Sequence, residues 1–272
     1  MWILRSMHER VSFNVYRHLE NILQTLSNYG VSATFFLTGE MAEKHPRIPQ
    51  KICKNDHEIA SHGYSHKSFF DVNHAEAEKE IAESIKVLSR FQEVKGFRAP
   101  FLVRNKATYL ACEKLGLSYD SSEHGLEKYC PDGFKVVVLP VVSPLDTHGL
   151  DLMRLRAREL VARWLLQFSE SNGATVCMHA WRIGRKKYVK AVLEPLLRSD
   201  LTFVSACELM HRDGVALTFD VEYTSFSESL PHNIALLKSP AWKHPEGLVA
   251  REFFRDQRAD QIAEDHKLPD SS

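Results

Sequence analysis

Paired cysteines are missing from this chain. Its five cysteines, at positions 53, 112, 130, 177 and 207, are odd in number, scattered and without a CxxC pair. That spacing argues against a thiolate metal site and for reduced, mostly buried thiols in a cytoplasmic protein. Long apolar runs are missing too: none approaches the roughly 18 residues of a membrane span, so no integral membrane segment is expected. The opening Met1-Trp2-Ile3-Leu4-Arg5-Ser6 holds too short an apolar run for a signal peptide. Neither sign of charge prevails, with Lys+Arg and Asp+Glu at 35 each. A general nucleic-acid surface would need a basic excess and is not expected.

What is present is an ordinary globular composition, 44% hydrophobic and 26% charged over 272 residues, enough for one large α/β domain or two small ones. Residues 14–29 repeat apolar side chains at helical spacing and end at Gly30. A compact run of β-formers follows at 31–37. Helical and extended patterns then alternate: helix 41–55, strand 58–61, helix 75–90, strand 94–99, helix 107–115, strands 117–121 and 136–142. Helix 152–170, strand 174–178, helix 187–197, strand 201–204, helix 206–212 and strand 214–222 complete the series. Such alternation predicts a parallel sheet covered by helices, and a (β/α) barrel over an open sheet.

In parallel α/β architectures the strand-to-helix loops converge on the rim at the strands' C-terminal ends. Polar and ionisable residues gather at these ends: Thr38-Gly39-Glu40, His62 and His66, Arg98-Ala99-Pro100-Phe101, Tyr119-Asp120-Ser121-Ser122, His179-Ala180-Trp181 and Asp220-Val221-Glu222. Four residues apart, His62 and His66 would share one face of a helical turn and could share a metal ion. Two histidines and a carboxylate leave a metal position open for water, which the ion acidifies. A second carboxylate as base and a further histidine as acid would complete an amide hydrolase. His57, His74, His124 and His148 are read as structural or solvent-exposed.

These motifs, in the order Val31-Ser32-Ala33-Thr34-Phe35-Phe36, His62 to His66, Arg98-Ala99-Pro100-Phe101, Tyr119 to Ser122 and Cys177-Met178-His179-Ala180-Trp181, resemble the polysaccharide deacetylase family (carbohydrate esterase family 4, or NodB-homology). The resemblance covers roughly residues 11–210. It implies a distorted (β/α)7 barrel, a divalent metal, usually zinc, and a carbohydrate substrate from which an N-acetyl or O-acetyl group is removed. It further implies that His62 and His66 bind the metal and that Arg98 orients the base. The N–H near Phe101 would hold the oxyanion, His179 would be the acid and Asp120 would orient it, with Asp146 a rival for a rim role. Trp181, Tyr64 and Phe69 would line a sugar site.

The family opens with a strand ending in an acidic motif, whereas this chain carries that motif as Leu217-Thr218-Phe219-Asp220-Val221-Glu222. A circular permutant, with strand 214–222 closing the barrel, makes Asp220 the base and Glu222 the third ligand. Strand alternation places these two on one side. A second truncated copy of the domain, or a start upstream of Met1, are the rival explanations. Residues 1–222 are then one barrel. Residues 223–272 form a polar extension with a helix near 248–264, a disordered end at 265–272, and Trp242, Phe253 and Phe254 as lid candidates. Two alternatives to sugar deacetylation stay open: hydrolysis of a small cyclic or formyl amide, and an inactive barrel that binds carbohydrate or a partner.

Overall fold

The computed structural model describes residues 2–222, with side chains from residue 15 onward. The expectations for the extension 223–272, its helix, its disordered end and its lid aromatics, lie outside the described residues.

Parallel strands β1 (Thr34–Leu37), β2 (Glu58–Ser61), β3 (Gly96–Phe97), β4 (Tyr119–Asp120), β5 (Val137–Val138), β6 (Ala174–His179), β7 (Phe203–Val204) and β8 (Val215–Val221) form one sheet. Its order is β5-β4-β3-β2-β1-β8-β6, and β7 pairs with β8 off that path. β8 lies along β6 from Val215 to Asp220. Its other edge is shared: β7 pairs with Val215 and Ala216, and β1 with Thr218 to Val221. The sheet curls until its ends meet at a parallel bridge between Val141 and Thr175. The strand at 214–222 therefore sits within the curled sheet, between β1 and β6, and the seam itself lies at Val141 and Thr175.

Alternation along each strand explains what goes where. Phe35 and Phe219 stack at 5.1 Å and, with Phe97, Val176 and Met178, join the core between sheet and helices. Their neighbours Phe36, Ala60, Tyr119 and Ala216 make a separate cluster inside the curl. The inward column of β2 thus runs Glu58, Ala60, His62, and that of β8 runs Ala216, Thr218, Asp220, Glu222.

The helices are α1 (Trp2–Tyr29), α2 (Gly39–Lys44), α3 (Arg47–Lys54), α4 (His74–Leu88), α5 (Lys106–Lys114), α6 (Ala157–Ser169) and α7 (Ala180–Ile183). The short pieces α8 (Lys186–Tyr188), α9 (Glu194–Leu197) and α10 (Ala206–Leu209) follow. α1 extends well before the expected 14–29. The expected helix 41–55 is two helices parted at His45-Pro46, because the residue before a proline is pushed out of the helical region. The expected helix 187–197 holds a π turn at Val189–Leu193 before Pro195, which cannot donate to a regular helical ladder. The strands at 94–99, 117–121, 136–142 and 201–204 shrink to two-residue ladders. As the sheet curls, side chains take over backbone groups; the Ala99 N–H donates to Ser122 Oγ at 2.7 Å.

Candidate active site and metal centre

Asp220 and Glu222, two apart on β8 and its continuation, face the histidines that follow β2. His62 Nε2 lies 4.0 Å from Asp220 Oδ2 and 3.7 Å from Glu222 Oε2, and His66 Nε2 is in direct contact with Glu222. One ligand atom each from His62, His66 and Glu222 fall within 4.8 Å of one another. The histidines do not share a helical turn, as their spacing suggested. Gly63 and His66 both take left-handed backbone angles, φ 71° and 60°, folding a loop that brings the rings to 5.0 Å. Glu80 of α4 anchors that loop by accepting from the Ser65 N–H at 2.5 Å and the Ser65 hydroxyl at 2.6 Å.

The donor chemistry fits a cation. His62 Nδ1 sits 2.8 Å from the Arg98 carbonyl oxygen, which can only accept, so Nδ1 carries the proton. In the neutral ring Nε2 presents a lone pair towards two carboxylates. Lone pair against carboxylate is unfavourable unless a positive charge lies between them, and this second hydrogen bond is the arrangement that orients metal-binding histidines.

Arg98 is fully buried and spends all its donors. Nε donates to the Ser121 carbonyl (2.9 Å), Nη1 to Thr218 Oγ1 (2.8 Å) and Asp220 Oδ1 (2.9 Å), and Nη2 to Ser121 Oγ (2.8 Å) and Thr175 Oγ1 (3.3 Å). The guanidinium lies 4.1 Å from the Phe36 ring centroid. Burial alone would raise the Asp220 pKa, but Arg98, then His62 and His179, outweigh it and hold the carboxyl below its ordinary value. Burial opposes ionisation of Glu222 too, and His66 in contact with it pulls its pKa well down. Cys177 donates its thiol to Asp220 Oδ2 at 3.1 Å, so each Asp220 oxygen is held.

His179 closes β6, and its partner is Asp146, not Asp120. The Asp146 carboxylate accepts from the His179 N–H at 2.9 Å and meets His179 Nδ1 at 2.6 Å. Burial lowers the imidazole pKa, but Asp146 more than reverses this and pushes it up to about 10. The expected role of Asp120 is overturned by strand alternation. Ser121 points inward to Arg98, so Asp120 points outward, where Arg104 Nε donates to it at 2.9 Å and Ser122 also donates. Asp146 reaches His179 because the chain after β5 crosses to β6 at the Val141–Thr175 bridge.

Phe101 has φ 62° and sets its ring edge-on to His66, centroids 4.9 Å apart, which brings it to the cluster. Trp181 lies 6.0 Å from the His179 ring and flanks the site. Tyr64 is engaged elsewhere: its hydroxyl donates to Glu43 at 2.7 Å, and its ring covers Gly39, where a Cβ would come within 2.5 Å of Tyr64 Cδ2. Phe69 is buried against Phe97 in the outer core. His57 is buried beside Phe35 and accepts from the Ala33 N–H. His148 is closer to the site than expected; burial, then His124 and His179, push its pKa down to about 4. Cys177 and Glu80 were not foreseen. The one signal for Cys177 was its position two residues before His179, on the same side of β6.

A family model described as polysaccharide deacetylase matches residues 14–119. The chain is 42% identical over 69 residues to the peptidoglycan-N-acetylglucosamine deacetylase of Bacillus cereus, covering 25% of each protein. It is 26% identical over 83 residues to the chitooligosaccharide deacetylase of Sinorhizobium fredii, 29% of this chain and 39% of that one. The aligned stretches thus span well under half of either relative. A solved structure of a putative polysaccharide deacetylase from Mycobacterium smegmatis shares the fold with a TM-score of 0.61 at 22% identity, over 84% of this chain and 81% of the other. The chain thus resembles the polysaccharide deacetylase family over residues 14–119 and shares its curled parallel sheet with that solved structure.

Proposed function

We propose that this protein removes the acetyl group from an N-acetylated sugar of a glycan or glycan precursor by hydrolysis. The observation that carries the reading is the convergence on one rim of the His62, His66 and Glu222 ligand atoms with an arginine-held Asp220 and an aspartate-held His179. Both relatives described above are deacetylases by name. Residues 1–222 are the domain that does this, and 223–272 are an extension of it.

His62, His66 and Glu222 would hold a divalent cation, most simply zinc, which would polarise the amide carbonyl and acidify water. Asp220, kept ionised by Arg98, takes the proton from the attacking water. Oxygen adds to the acetyl carbon and the C–N bond breaks. His179, kept protonated by Asp146, gives its proton to the departing amine, so acetate and a free amino sugar leave. The backbone N–H of Phe101 donates to the oxyanion. Trp181 offers an aromatic wall to the sugar ring.

Acetate release from a chito-oligosaccharide, with bound metal quantified, tests this. Stoichiometric metal is expected, together with a loss of roughly 100- to 10,000-fold in rate for Asp220→Asn. A metal-free protein releasing no acetate from any acetylated sugar would sink the reading and favour an inactive binding barrel.

A further inference from the structure

The segment that leaves β6 has one sign of charge. Between Ala180 and Lys190 stand Arg182, Arg185, Lys186, Lys187 and Lys190 and no acid, in a chain whose overall charge is zero. Arg182 pairs with Asp151; no carboxylate meets the other four among the described residues, and those four are exposed. The run starts at the reaction site. Trp181 lies 6.0 Å from His179, and the guanidiniums of Arg182 and Arg185 each lie 5.9 Å from the Trp181 ring centroid.

Exposed lysines alone would describe a solvated face. The buried nitrogens among them do not. Among the described residues, Trp181 Nε1 and Arg182 Nε are buried and meet no acceptor, and His18 Nδ1 across the helix junction likewise meets no partner. α1 and α7 meet closely there: a Cβ on Gly184 would stand 2.4 Å from the His18 carbonyl oxygen, and Asn21 Nδ2 donates to the Gly184 carbonyl at 2.8 Å. Burial, then Arg17 and Arg185, push His18 below its ordinary pKa, which puts both guanidiniums near its ring. Buried polar atoms left unpaired are rare and call for an absent partner. Where the surroundings are cationic, that partner is an anion.

We propose that the ridge from Trp181 to Lys190, with His18 behind it, is a subsite for a phosphoryl group carried by the acetylated sugar. This rests on the deacetylase reading and narrows its substrate to a phosphate-bearing acetamido sugar. A phosphoryl group suits the ridge better than a carboxylate, since its multiple charge and three acceptor oxygens can meet a guanidinium fork and several ammonium groups together. The phosphate could belong to a free sugar phosphate or to a lipid-linked one.

Two measurements on the full chain test this. Calorimetric binding of pyrophosphate is expected for the wild type, weakening with salt and falling about tenfold in Lys186→Glu/Lys187→Glu and, separately, in Arg185→Gln. Melting temperatures check that each variant folds. No binding, or affinity unchanged in both variants as for pyrophosphate seated on a metal ion, overturns the subsite. In turnover, kcat/KM is expected to favour N-acetylglucosamine phosphate over neutral chitotriose by about tenfold, with the preference lost in the variants. Equal kcat/KM for the two overturns it. The same sugar on a long-chain lipid diphosphate in micelles separates the sources, and a preference for either form supports the subsite. Chitotriose turnover without pyrophosphate binding sinks the subsite alone, whereas pyrophosphate binding without acetate from any sugar sinks the reaction alone.

Discussion

Two carboxylate sites, one half-buried and one buried, face the inside of the same curled sheet at opposite ends, and their surroundings drive them in opposite directions. At the N-terminal end, Glu58 accepts from Thr34 Oγ1 at 2.7 Å, the Tyr119 hydroxyl at 2.9 Å and the Cys207 N–H at 3.0 Å. Those donors are neutral, and burial wins: the Glu58 pKa is raised. At the C-terminal rim, Asp220 and Glu222 are more fully buried, but Arg98 and the site histidines face them and both pKa values fall. Burial is common to both ends. What differs is the charge of the partners, and that difference separates a carboxylate that ties strands together from one able to take a proton or a cation.

The sharpest way to break the contrast is to remove a rim ligand. His62→Ala should weaken divalent-metal binding by more than about 100-fold in a calorimetric titration. Glu58→Gln should leave that affinity unchanged, and equal losses in both would erase the distinction. Next in size is the rim's ion pair. Arg98→Met leaves Asp220 buried without its cation, and chemical denaturation should show a loss of about 3–5 kcal/mol; a near-neutral result would mean the five-donor clamp contributes little.

Asp146→Asn gives a smaller, directional effect. It removes the interaction that raises His179 and leaves burial, which lowers it. The alkaline limb of kcat/KM should therefore move from about 10 towards or below the ordinary 6.5. A stationary limb would take the proton-donor role from His179. The smallest effect tests the other end. The folded value of Glu58 lies above its ordinary 4.5, so its contribution to stability is complete below that value and is lost as pH rises through the folded pKa. Glu58→Gln, measured against wild type, should therefore gain a few degrees of melting temperature on going from about pH 4 to about pH 7. A constant difference would show that Glu58 does not titrate within that window.

Much of this was legible in the chain because strand alternation is a local rule. It put Asp220 and Glu222 on one side of β8 and marked His62 and His179 as strand-end residues. The alternation of element types gave the parallel sheet. What the sequence could not give was set by distant contacts. The two loops of left-handed residues that seat His66 and Phe101 have no composition signal, since neither uses glycine at that residue. The resemblance points to Asp120 as the residue that orients His179, with Asp146 a rival, but the choice is made by the bridge from Val141 to Thr175, between segments with no pattern in common. The ladders of β3, β4 and β5 are short for the same kind of reason: curvature is a property of the closed sheet and not of any one stretch.

The position of β8 has a consequence for how the protein comes into being. Both rim carboxylates ride on a strand that slots between β1 and β6, some 180 residues after β1 and about 40 after β6 in the chain. A nascent chain that has released His62, His66 and His179 still lacks Asp220 and Glu222. The proposed cation site and its base would therefore be completed in one step, when residues 215–222 dock after the other strands of the sheet. Until then the half-built cup has an open seam along β1, where the chain must be kept from pairing with a neighbour's strand.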